Sequence, residues 1–115
     1  MEIQELKPKT NEEKIRDLKN IIKYNLGVLR TKANSEALSN LELREAIQGL
    51  VTFLKERIQL NTKINNFGLV RMDEKRIKEL ESIAQTIQND GIAKKATMKR
   101  VEDVFFINLD SHEDN

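Results

Sequence analysis

Between Leu43 and Ile64 the sequence places Leu43, Ala46, Ile47, Leu50, Val51, Phe53, Leu54, Ile58, Leu60 and Ile64 on a helical repeat. At about 100° per residue these positions cover roughly half of a helix's circumference, wider than the stripe of a helix with one buried side. Such a helix needs neighbours on two sides. It is expected at the centre of its domain or across a dimer, and Leu43, Ile47, Leu50, Val51, Leu54 and Ile58 are the residues that would face a second copy or a protein partner. Just upstream, "SNLE" at 39–42 is a capping box, in which the Ser39 hydroxyl and the Glu42 carboxylate satisfy each other's backbone amides.

The same logic assigns the rest of the chain. "TNEE" at 10–13 is another capping box, followed by Ile15, Leu18, Ile22, Leu26 and Leu29 at helical spacing. A first helix from about Asn11 to Lys32 follows, with Glu12 and Glu13 at its positive end and Arg30 and Lys32 at its negative end. Asn25 falls within its apolar arc, where a buried amide can fix register and partner number, although hydration at the edge of the face is the plainer role. "NNFG" is read as the end of the second helix, with Gly68 as a left-handed cap. Asp73 is read as the cap of a third helix, whose face is Ile77, Leu80, Ile83, Ala84 and Ile87. "NDG" at 89–91 stops it. Met98, Val101, Val104 and Phe105 mark a fourth, from about Thr97 to Asn108. "VFFINL" has strand-like composition, but the chain offers it no strand to pair with.

The expected fold is all-α: a bundle of three to four helices, two long and antiparallel, closed by a shorter C-terminal pair. Residues 1–10 read as a flexible lead, 11–109 as a single helical domain and 110–115 as an acidic disordered tail. With 115 residues, 38% apolar and only four Phe and one Tyr as aromatics, the core must be built from Ile and Leu.

Composition also narrows the chemistry. There is no Cys and one His, so thiolate ligands, disulfides and Glu-x-x-His di-iron sites are excluded. The net charge of +1 provides no global field toward nucleic acid or membrane. The start, "MEIQELKPKT", is too polar for a secretory signal, and no run approaches a membrane span of about 20 apolar residues, so a cytoplasmic location is expected. "ELRE" at 42–45 is an ExxE pair of the kind that holds Mg²⁺ in all-α nucleotide pyrophosphohydrolases. That chemistry needs a second acidic pair on a facing helix, and Glu79 and Glu81 diverge. No catalytic residue, cofactor, metal or small-molecule substrate is therefore expected.

One charged feature stands out. "QNDGIAKKATMKRVED" at 88–103 resembles the helix-turn-helix of bacterial repressors, with Gly91 at the turn and Thr97, Lys99 and Arg100 on the following helix. It departs from that pattern at Ile87, where a small residue usually lets the two helices cross closely, and in the segment between Gly91 and Val101, which is too long by about one residue. The resemblance implies DNA contact through Lys94, Lys95, Lys99 and Arg100. The plainer reading is a solvated connection neutralised by Asp110, Glu113 and Asp114 of the tail. By elimination the expected function is binding: a small interaction protein (regulator, adaptor or inhibitor) that packs on itself or on another protein. A short chain rich in Lys, Ile, Asn and Glu would suit a phage or other mobile element. A dimeric DNA-binding regulator is the alternative.

Overall fold

The computed structural model describes residues 8–35 and 37–112. It is all-α: α1 (Asn11–Asn34), α2 (Asn40–Lys63), α3 (Phe67–Thr86) and α4 (Lys95–His112). Among the described residues there is no strand, and "VFFINL" lies within α4. α2 packs most extensively on α3 and next on α1, while α4 closes the bundle against α3 and α1. The wide apolar arc of α2 is thus explained within a single chain: it is the central element, with α1 on one side and α3 on the other.

Both predicted caps stand at their helix starts, but only the second is a full reciprocal capping box. The Thr10 hydroxyl accepts the Glu13 amide at 3.1 Å. At α2 the Ser39 hydroxyl accepts the Glu42 amide at 3.1 Å, and the Glu42 carboxylate accepts the Ser39 amide at 3.3 Å. Ile22, Leu26, Leu43, Ile47, Leu50, Leu54, Leu80, Val101 and Phe105 are buried together in one core. Each such side chain contributes about 1.5–3 kcal/mol relative to staying exposed.

The α2–α3 turn differs from its reading in the sequence. α2 ends at Lys63, and Asn65, not Gly68, takes the left-handed conformation (φ 61°). The Asn66 amide donates back to the Asn61 carbonyl at 2.8 Å and the Asn65 amide to the Thr62 carbonyl at 3.1 Å, a Schellman termination. Asn tolerates this backbone region better than other side chains do, so the turn closes before Gly68 is reached. α3 therefore starts at Phe67, and Asp73 lies inside it rather than capping it.

The α1–α2 and α3–α4 connections meet at one end of the bundle. Ser39 and Ile92 form an isolated antiparallel pair, with the Asn40 amide on the Gly91 carbonyl and the Ala93 amide on the Leu38 carbonyl, both at 3.0 Å. Gly91 has φ 100°, and Asn40 Nδ2 donates to the Asp90 carbonyl at 2.5 Å. A side chain at position 91 would be strained by that φ, which explains the glycine. Arg30 is bound to Glu102, tying α1 to α4. That carboxylate holds the Arg30 guanidinium above its ordinary value, chiefly through the hydrogen bond. The helix α4 runs on through residues 110–112, while residues 1–7 of the N-terminal lead and 113–115 of the acidic tail lie outside the described residues.

Candidate functional site

Besides the stripe that faces the core, α1 carries a second apolar line on its outer side: Ile21, Tyr24 and Val28, spaced i, i+3 and i+7. All three are exposed, Tyr24 at 73% and Val28 at 38%. Beside them, between α1 and α2, runs a groove of about 410 Å³ whose walls include Asn25, Val28, Ala46, Gly49 and Phe53. Lys32, Glu42 and Glu45 stand at one end of it. A shallower depression of about 600 Å³ continues along α1, lined by Lys23, Tyr24, Gly27, Val28, Thr31 and Lys32. Asn25 sits half-buried in the groove wall, its Nδ2 donating to the Ile21 carbonyl of its own helix at 2.8 Å.

The charged end of the groove is ordered by the α2 cap. Glu42 accepts from Ser39 and lies 3.5 Å from Lys32 Nζ across the helix pair. Hydrogen bonds from Ser39, first from its backbone and then from its hydroxyl, hold the Glu42 carboxyl below the usual carboxylate range, and Lys32 adds to the effect. Glu42 is thus committed to capping. Among the described residues no three His, Cys, Asp or Glu side chains gather in a way that could hold a metal ion, and Glu79 lines a different surface, between α3 and α4.

Leu43, Ile47, Leu50, Val51 and Leu54, the residues expected to face a partner, are buried in the chain's own core, and Ile58 is half-buried against it. The five buried ones could meet another molecule only if the bundle opened. The surface that is available lies next to them, at Ala46, Gly49 and Phe53. The second α1 stripe was the signal for it: Ile21, Tyr24 and Val28 fall off the Leu18–Ile22–Leu26–Leu29 line yet keep helical spacing with one another.

Lys94, Lys95, Lys99 and Arg100 are all exposed around the start of α4. The Lys94 carbonyl accepts the Thr97 and Met98 amides at 3.1 Å, and the first turn contains no acid. Lys94 borders a small polar cleft with Asn40, Gln88 and Thr97, whereas Arg100 borders the α3–α4 surface beside Glu79 and Asp103. Those two clefts share no residue, so Lys94 and Arg100 border different surfaces. The connection from Thr86 to Lys95 spans residues 87–94, longer than the three or four residues of a helix-turn-helix turn.

Sequence reasoning also passed over a polar cluster in the core. Asp73 accepts from Arg57 at 2.7 and 2.8 Å and from Arg76 at 2.6 Å. All three are no more than 2% exposed, and Asn61, one turn beyond Arg57, is buried as well. The signal was positional: 50, 54, 57 and 61 continue one face of α2, as 73, 76, 77 and 80 continue one face of α3. The cluster joins α2 to α3 and opens onto no described cleft. Comparison with known proteins returns no matching family model, no matching curated protein and no matching solved structure.

Proposed function

We propose that this chain is a small helical interaction module whose docking face is the groove between α1 and α2. The observation that carries the reading is the exposed Ile21–Tyr24–Val28 line beside an apolar trough floored by Ala46 and Gly49. Exposed apolar residues scattered singly need no explanation, but a continuous strip along a groove is the form that receives a partner helix. The absence of cysteine allows a direct test. A single cysteine placed at Val28 and fitted with a photo-crosslinker should capture a protein in cells, while the same label at exposed Glu81 should not. Equal capture at both positions would remove the reading.

A second reading rests on the α4 start, where Lys94, Lys95 and Lys99 surround amides with no acidic residue in the first turn. That arrangement suits phosphate oxygens in a nucleic-acid backbone. It ranks behind the groove because Arg100 is flanked by acids and the α3–α4 connection lacks helix-turn-helix geometry. No helix among the described residues is long and apolar enough to cross a membrane.

A further inference from the structure

We propose that the occupant of the α1–α2 groove is the same groove of a second copy of this chain, related by a two-fold axis running along the helices. This rests on the groove being the docking face and names what docks there.

Charge is the first reason. The α1 edge of the face is basic, with Lys23 and Lys32. The α2 edge is acidic, with Glu42 and Glu45 at the groove and exposed Glu56 about two turns beyond Gly49. A face with one basic and one acidic edge is complementary to itself in only one of the two ways it can be paired face to face about an in-plane axis. An axis across the helices stacks α1 on α1 and α2 on α2, setting like charges together, which is strongly disfavoured. An axis along the helices lays the α1 edge of each copy on the α2 edge of the other, lysine against glutamate on both sides. The Lys32–Glu42 pair within each chain is about half exposed, so a second carboxylate can approach Lys32 from outside.

Shape is the second. Gly49 lies in the interior of α2, yet a Cβ built there would meet nothing within 4 Å, and the same is true of Gly27 in α1. The chain's own packing does not require either glycine. Close approach of another helix would. Counting along the antiparallel pair from the Lys32–Glu42 contact puts Val28 level with Ala46 and Ile21 level with Phe53. An axis along the helices keeps those levels. Val28 of one copy then rests over Ala46 and Gly49 of the other, Ile21 over Phe53, and Lys32 beside Glu45.

Sedimentation equilibrium over a concentration series tests this, with thermal melts confirming that each variant folds. The wild type should approach twice its 13.4 kDa chain mass. Val28→Glu should weaken the dimer by about tenfold or more, and Lys32→Glu and Glu45→Lys should each weaken it. The Lys32→Glu/Glu45→Lys double variant should regain it, because lysine and glutamate face each other again. A wild type that stays at chain mass up to about 1 mM, near the weak limit of specific association, overturns the proposal. So does a dimer indifferent to Val28→Glu, or one that the double variant fails to restore. A synthetic amphipathic helix with a leucine stripe between lysine and glutamate edges then separates the two readings. If the wild type is monomeric but binds this peptide, and Val28→Glu does not, the groove remains a docking face for another protein and only the second copy is ruled out. If the peptide is ignored too, both readings fall.

Discussion

Arg57 and Asp73 meet through two hydrogen bonds, Nε to Oδ2 at 2.7 Å and Nη2 to Oδ1 at 2.8 Å, in a part of the core where neither is more than 2% exposed. This planar pairing, shared with Arg76, holds the second half of α2 against the first half of α3, and only one register of the two helices satisfies it. Asp73→Asn should therefore cost about 3–5 kcal/mol in urea unfolding, since two buried guanidiniums lose the carboxylate they converge on. Replacing Arg57, Asp73 and Arg76 together with apolar residues of similar size should cost far less and can raise stability by about 1–4 kcal/mol. If the single and triple variants were equally destabilised, the cluster would not behave as one unit.

Asn61 is buried beside this network, and neither atom of its carboxamide finds a hydrogen-bond partner among the described residues. Leu has nearly the same branching without the polar atoms. Asn61→Leu is expected to stabilise the fold by about 1–3 kcal/mol, the cost of a buried unsatisfied amide. Chemical denaturation with an unchanged slope checks it. A loss of stability would mean that the amide has a role in the native state.

The α2 cap predicts a pH dependence. Because the folded Glu42 carboxyl lies below its unfolded value, its contribution is complete above the unfolded pKa of about 4.3 and is lost as pH falls through the lower folded value. Ser39→Ala removes the hydroxyl that caps the Glu42 amide and also bonds its carboxylate, and should cost about 1 kcal/mol at neutral pH. The gap between wild type and variant should narrow on acidification below the unfolded pKa without closing, since the bond to the amide does not titrate. A gap that is flat with pH would show that the Ser39 hydroxyl contributes nothing through the Glu42 charge.

For the α4 start, the expected outcome is weak and sequence-blind binding to duplex DNA that disappears by physiological salt. Changing Lys94, Lys95, Lys99 and Arg100 to Gln should abolish it while moving stability by no more than about 0.5 kcal/mol, as these side chains are exposed. A salt slope corresponding to roughly three or four phosphate contacts per chain, with preference for one sequence in gel-shift competition, would promote the DNA reading over the groove.

The helices were legible in the sequence wherever periodicity and a cap coincided. Thr10 and Ser39 start α1 and α2, and Met98, Val101, Val104 and Phe105 form the buried face of α4 as the spacing implies. The α2–α3 turn was not, because Gly68 and Asp73 carry strong local signals that tertiary packing overrides. Asp73 has the chemistry of a cap but the position of a core residue, and position prevailed because Arg57 lies opposite on α2 and Arg76 one turn further along α3. The groove was hidden for a different reason. Apolar periodicity tells which residues leave water, but a residue such as Val28 that sits just off the buried line looks the same in sequence as one on it. Nothing in the sequence sets Gly49 apart, and only the open space around it in the fold gives it meaning.

The pairing of Leu38–Asn40 with Gly91–Ala93 divides the tolerance of the chain unequally between the two ends of the bundle. At the clasped end each loop is the other's hydrogen-bonding partner, so an insertion there must break both connections at once. At the opposite end Asn65 and Asn66 are exposed, and the turn they form bonds only to the two helices it joins. A chain divided between them would yield two helical hairpins, α1–α2 and α3–α4, each carrying half of the clasp and half of the Arg57–Asp73 contact. Those halves have what they need to find each other as separate polypeptides, which makes that turn the natural seam for a split reporter.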